Sequence, residues 1–416
     1  MKSMTGLRLR RKSFMIVSAL ILTFVVPVVS PAAVAKDHWV GTWATPPVAV
    51  AQAPVGDPNI AFNNQTLRQI VHVSIGGRMV RVRLSNAFGT KPLAIGSAHI
   101  ALHSAGAAIA PGSDRTLTFG GAKSTTIWPG AVMVSDAVDL DVPALGDLAV
   151  SLYLSGDVPA TFLITGHPVS RQTTYISPAG DFTASADMPV STTKLSWYFL
   201  TGVEVMAAQQ AAAVVTLGDS ITDANVSTPD ANHRWPDELA RRLSAAHRPI
   251  GVLNEGTAGN RILQDVVGES GLHRFDRDVL SQPGVAYVIV LLGINDLRNR
   301  NPIAATADDM IAGYKQMILR AHARGIKIFG GTLLPFENET FTLGAYTPEG
   351  EAKREAVNTW IRTSGAFDAV IDFERALRDP SHPTSLLPKY DCGDHLHPSD
   401  LGYQMMGDAV DLALFK

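Results

Sequence analysis

The sequence holds a single cysteine, Cys392, among 416 residues. That excludes an intramolecular disulfide framework, a CxxC redox centre and a cysteine-rich zinc site. Charge is also scarce: 18% of residues are charged and the formal net charge is −3. With no basic block beyond the first dozen residues, no nucleic-acid partner is expected. Gly and Pro are scattered without a period, which excludes a collagen-like chain, and 46% hydrophobic residues exclude a mostly disordered one. Past the N-terminus no segment reaches 18 uninterrupted apolar residues, so no membrane span is expected there.

What is present starts with a leader. Lys2, Arg8, Arg10, Arg11 and Lys12 form a cationic segment, residues 14–29 are apolar, and Ala33-Val34-Ala35 supplies an A-x-A cleavage site. Residues 1–35 therefore read as a secretory signal. A retained anchor is the alternative, but Pro27 and Pro31 interrupt the apolar run, which falls short of the roughly 20 residues of a spanning helix. Cleavage removes five positive charges and leaves 30 Lys and Arg against 38 Asp and Glu, a net charge of −8 on 381 residues. The mature protein is expected to be secreted or periplasmic.

The length exceeds the roughly 250–300 residues at which single cores stop growing, so two domains are expected. From about 38 to 205 the pattern has period two. Val80, Val82 and Leu84 alternate with Arg81 and Arg83, and Leu148, Val150, Leu152 and Leu154 alternate with Ala149, Ser151 and Tyr153. Turn signals such as Gly76-Gly77 and Pro111-Gly112 separate the runs. The spacing predicts an all-β sandwich, jelly-roll-like, over 36–205. From about 211 apolar strands at 213–217, 250–253, 285–292, 326–332 and 369–372 alternate with helices near 236–247, 305–323, 350–364 and 400–413. In the helix at 305–323, Met310, Ile311, Tyr314, Met317, Ile318 and Ala321 form an apolar stripe. This alternation predicts an α/β domain over 206–416, a parallel sheet whose ligands bind at the carboxyl ends of the strands.

Four short blocks lie at such ends. Gly218-Asp219-Ser220 places a serine at a strand-to-helix turn, with glycine permitting the bend. Taken alone it is equally an ordinary turn with a capping serine. Asn254-Glu255-Gly256-Thr257-Ala258-Gly259-Asn260 is a Gly-rich loop whose spacing fits neither a P-loop nor a dinucleotide fingerprint. Gly293-Ile294-Asn295-Asp296 offers a neutral amide able to donate to developing negative charge, or two residues that cap the next loop. Asp394-His395-Leu396-His397-Pro398 lets an Asp carboxylate aim at one imidazole nitrogen and leaves the other outward as a base. A metal reading, with Asp391 and Asp394 beside His395 and His397, lacks a remote third ligand, so no metal is expected. His395 is expected to pack or to support the site from behind.

Together these residues make a triad of Ser220 as nucleophile, His397 as base and Asp394 as its orienting partner. The N–H groups of Ser220 and Gly259 and the Asn295 amide then make an oxyanion hole. The four ordered blocks resemble the SGNH (GDSL-type) hydrolase superfamily. Arg234-Trp235-Pro236-Asp237 and Phe275-Asp276-Arg277-Asp278 extend the likeness to secreted bacterial esterases with an N-terminal β-domain. The resemblance implies a flavodoxin-like hydrolase domain, a serine carboxylesterase acting on small-molecule or carbohydrate esters, and no cofactor. Short-chain acyl esters are the expected substrates, a polysaccharide O-acetyl esterase (acetylxylan-type) is the alternative, and a non-catalytic carbohydrate-binding protein is a third reading. Two departures stand out. Ile221 replaces the Leu of the family name, and Leu297-Arg298 after Asn295-Asp296 puts a cation near the site, where it is expected to bear on substrate preference.

Overall fold

The computed structural model describes residues 37–50, 60–298, 305–342 and 345–416. The secretory leader expected over 1–35 lies outside them. Between His38 and Ala207 the described residues form strands and no α-helix. One antiparallel sheet runs His38–Ala44, Leu200–Ala207, Gly77–Ser85, Val138–Val142, with Val132–Val134 also on Gly77–Ser85. A larger one is built on Phe62–His72, Asp147–Val158 and Leu93–Ala105. The alternation has its physical counterpart here. Val80, Val82 and Leu84 are buried, while Arg81 and Arg83 both pair with Glu204 of the adjacent strand. Leu148, Val150, Leu152 and Leu154 join the same core. A third sheet of Val48–Ala49, Thr165–Pro168 and Ser196–Tyr198 has strands of two, four and three residues, too short to show a period in sequence.

The second half is a parallel sheet of five strands: β1 (Ala212–Gly218), β2 (Ile250–Gly256), β3 (Val285–Leu291), β4 (Lys327–Gly331) and β5 (Ala369–Ile371). Their order is β2-β1-β3-β4-β5, the flavodoxin-like order, whose switch point falls between β1 and β3. The strands carry apolar side chains almost without break because helices cover them. Helix Ala307–His322 begins with a reciprocal cap. Thr306 Oγ1 accepts the Asp309 N–H at 3.1 Å and Asp309 accepts the Thr306 N–H at 3.0 Å. Its buried stripe is Met310, Gly313, Tyr314, Met317, Ile318 and Ala321, with Ile311 half-buried at the margin. The last helix, Asp400–Ala409, is capped by Ser399. Among the described residues no helix is long and apolar enough to cross a membrane.

The all-β region and the parallel sheet meet at β2, an edge strand. The Val252 N–H there donates to Ser74 Oγ at 2.9 Å, and the Gly41 N–H donates to the Pro283 carbonyl at 2.9 Å. Covering the edge satisfies polar groups that would otherwise be open to another strand. The approach is close: a Cβ on Gly251 would lie 2.1 Å from the Gly41 carbonyl oxygen. Gly251→Ala should therefore destabilise the protein by about 1–3 kcal/mol, as overpacking against backbone does. Gly156→Ala, where a Cβ meets nothing within 4 Å, should stay within about 0.5 kcal/mol of the parent. Equilibrium urea unfolding of the two variants checks the pair.

Candidate active site

β1 ends at Gly218 and the chain turns through Asp219 into a one-turn helix, Ser220–Asp223. Asp219 caps it, its Oδ1 accepting the Ile221 N–H at 3.0 Å. Ser220 is the first helical residue, so its N–H has no acceptor inside the helix. Gly218 is needed for space and not for a bend: a Cβ there would sit 2.0 Å from Thr222 Oγ1.

The turn before the last helix brings the second arm. Asp394 Oδ1 accepts the N–H groups of Leu396 at 2.9 Å and His397 at 2.8 Å, which leaves Oδ2 facing His397 Nδ1 at 2.6 Å. His397 Nε2 lies 2.8 Å from Ser220 Oγ. With a carboxylate on Nδ1, the neutral ring keeps its proton there and Nε2 accepts the serine hydroxyl. Burial opposes the charge on Asp394. The hydrogen bond and charge of His397, with the two N–H donors, nonetheless hold its carboxyl well below the usual carboxylate range. Ser220 retains 9% of its surface, and the ring of Phe341, 55% exposed, stands edge-on to His397 with centroids 5.5 Å apart.

The third arm is the loop after β2. Gly259 sits at φ +69°, and a Cβ there would meet Val267 at 2.9 Å, so the loop needs glycine on both counts. Asn260 organises the rest of this loop. Its Nδ2 donates to the carbonyls of Val267 at 3.2 Å and Glu269 at 2.7 Å, and its Oδ1 accepts Arg274 Nε at 3.1 Å. Its carbonyl accepts Asn295 Nδ2 at 3.0 Å. The buried Arg274 also donates to the carbonyls of Gly218 and Glu255, each at 2.9 Å, and so ties the ends of β1 and β2. Asp296 reaches back to this loop, accepting the N–H groups of Ile262 at 2.9 Å and Leu263 at 3.3 Å. The Asn295-Asp296 pair thus reaches across to the Gly259 loop.

One expectation from sequence changes and another gains detail. His395 does not pack: it is exposed, at φ +61°, with Nδ1 2.6 Å from Asp391 Oδ2. Arg298 lies beside the site as expected, with Nη1 3.2 Å from Asn295 Oδ1, but it does not open onto the cleft. Its side chain is 2% exposed and pairs at 2.6 Å with Glu339, itself fully buried. The metal alternative finds little room. Asp391, Cys392 and Asp394 lie within 4.8 Å of one another, but both carboxylates are already engaged by N–H and imidazole donors. Sequence reasoning missed His167, whose Nδ1 lies 3.1 Å from the Pro46 carbonyl and whose Nε2 lies 2.9 Å from Asp223 Oδ1. That buried contact fastens the all-β region to the helix carrying Ser220. It also missed Arg274, Glu339 and Phe341, whose partners are remote in the chain and leave no local signal.

Residues 216–405 match the model of the GDSL-like lipase/acylhydrolase family. The chain carries a GDSL-like lipase/acylhydrolase domain. Among solved structures it is similar to a putative acylhydrolase from Bacteroides fragilis, at 22% identity over 49% of this chain and 86% of that one, with a TM-score of 0.38. It is likewise similar to a GDSL-like lipase from Bacteroides thetaiotaomicron, at 22% identity over 49% and 87%, TM-score 0.38. A third is the lipase/acylhydrolase from Enterococcus faecalis, at 20% identity over 48% and 92%, TM-score 0.37. No curated protein matches the chain.

Within the acylhydrolase domain two carboxyls behave oppositely to Asp394. Burial lifts Asp219 to about 7 against the pull of the Ile221 N–H, and burial lifts Asp296 to about 6 against those of Ile262 and Leu263. A raised native pKa means that the folded state keeps a proton the unfolded chain releases near pH 4. The resulting stability is complete below about pH 4 and is lost as the pH rises through the native values. Asp219→Asn keeps an oxygen for the Ile221 N–H and removes the titration. Its melting temperature relative to the parent should therefore rise between about pH 5 and pH 8. An offset that stays constant across that range contradicts the assignment.

Proposed function

We propose that the protein is a secreted serine carboxylesterase that cleaves short-chain acyl esters through an acyl-enzyme. The observation that carries this reading is the hydrogen-bonded line from Asp394 through His397 to Ser220, with contacts of 2.6 and 2.8 Å. His397 Nε2 takes the Ser220 proton as Oγ attacks the ester carbonyl. The carbonyl oxygen becomes an oxyanion among the N–H groups of Ser220 and Gly259 and the Asn295 amide. His397 then protonates the leaving alcohol, which departs and leaves the acyl group on Ser220. A water gives its proton to the same nitrogen and attacks the acyl carbon; the bond to Ser220 Oγ then breaks, the imidazolium returns the proton to Oγ, and the acid leaves. Asp394 stays ionised and stabilises the imidazolium of each step. The cationic segment, apolar run and A-x-A site of residues 1–35 support export.

A second reading keeps the chemistry and changes the alcohol: removal of O-acetyl groups from a polysaccharide. What favours it is Phe341, an exposed ring edge-on to His397. An exposed aromatic face there offers a sugar ring an apolar surface.

Ser220→Ala should abolish hydrolysis of p-nitrophenyl acetate, and Asn295→Ala should lower kcat on the order of 10²–10³-fold. Activity near the parent level in Ser220→Ala ends the esterase reading. A series of p-nitrophenyl esters run beside acetylated xylan separates the two substrates. Phe341→Ala should lower kcat/KM on the polysaccharide and spare p-nitrophenyl acetate if the second reading holds. The triad calls for no metal, so EDTA should leave the rate unchanged.

A further inference from the structure

Asn295 can serve as an oxyanion donor only if its amide is held the right way round. The two ends of the amide have similar shape and opposite polarity, and a flip would point a carbonyl oxygen at the developing negative charge. Each end is engaged. Nδ2 donates one hydrogen to the Asn260 carbonyl at 3.0 Å, and Oδ1 accepts Arg298 Nη1 at 3.2 Å. One Nδ2 hydrogen remains for the oxyanion. Arg298 cannot turn away to solvent, because Glu339 Oε1 accepts its Nη2 at 2.6 Å and its Nε at 3.3 Å. Glu339 is fixed in turn by the Thr342 N–H, which donates to Oε2 at 3.2 Å.

The same segment touches the other arm of the site. The Thr340 N–H donates to the Asp394 carbonyl at 3.0 Å, and Phe341 stands against His397. Residues 339–341 therefore contact the support of the oxyanion donor and the support of the base within three consecutive positions.

We propose that Arg298 and Glu339 are positioning residues for the oxyanion hole. The buried pair locks the Asn295 amide with its N–H toward the reacting carbonyl, and the guanidinium on Oδ1 polarises that amide into a stronger donor. This rests on the esterase reading. A buried ion pair is a poor source of stability, since desolvating both charges offsets most of their attraction. A role in orientation accounts for a charged pair at this place better than stability does.

The test is a double-mutant cycle on p-nitrophenyl acetate hydrolysis, with melting temperatures measured alongside. Arg298→Met in the parent should lower kcat on the order of tenfold to a hundredfold with KM little changed, because the lost interaction acts in the transition state. In the Asn295→Ala background the same change should have almost no further effect on kcat, since the group it positions is gone. Glu339→Gln, close to isosteric, should show the same pattern more weakly and carries the test if Arg298→Met does not fold. Equal losses in both backgrounds overturn the proposal and leave the pair a structural element. Ser220→Ala runs beside the cycle: if it is inactive and the losses are equal, only the positioning role falls. If it is active, the esterase reading falls and this proposal falls with it.

Discussion

One hydrogen bond, from Ser220 Oγ to His397 Nε2 at 2.8 Å, joins two points 177 residues apart in the chain. Neither residue holds the other in place. Ser220 is where it is because β1 ends beneath it and Asp219 caps its short helix. His397 is where it is because Asp394 gathers two backbone N–H groups and an imidazole nitrogen into one turn before the last helix. Both arms then depend on the parallel sheet keeping the carboxyl ends of its strands in register. Arg274 takes a direct part in that by joining the carbonyls that close β1 and β2.

The surroundings of the site are densely polar for an interior, and that polarity is organised by position. Buried polar groups are costly unless every donor and acceptor finds a partner, and once satisfied they leave few alternative arrangements. Asn260 and Asp296 show the effect. Between them they engage four backbone groups of the loop after β2, the loop that carries Gly259. His167 extends the network into the all-β region, and through Asp223 it reaches the helix that bears Ser220. The first half of the chain is thus wired to the short helix that bears Ser220 by a hydrogen bond between two buried side chains.

Much of this fold was legible in sequence because its signals are local. The strands of the parallel sheet are nearly continuous apolar runs, and Val80, Val82 and Leu84 alternate cleanly with arginines. Ser220, Asp394 and His397 were legible for a related reason: a strand end, a tight turn and a D-x-x-H spacing each sit within a few residues. Where the reading failed, the deciding neighbour was distant. Arg298 was legible as a cation near the site, but its partner Glu339 was not, because it lies 41 residues on. His395 looked like a packing residue because nothing local shows that its backbone takes φ +61° and turns the ring outward. Gly218 was read as permitting a bend, and its reason is the side chain of Thr222 lying over it.

The sequence by itself determined the periodicities, the order of the strands and helices along the chain, and the kinds of side chain available at each strand end. These come from the preferences of neighbouring residues, which a linear reading can trace. Only the tertiary structure decided the strand order β2-β1-β3-β4-β5, the lock of Arg298 and Glu339 on Asn295, and the fastening of His167 to Asp223. Each depends on groups dozens of residues apart meeting in a water-poor interior, where one satisfied arrangement of hydrogen bonds is favoured far above its rivals.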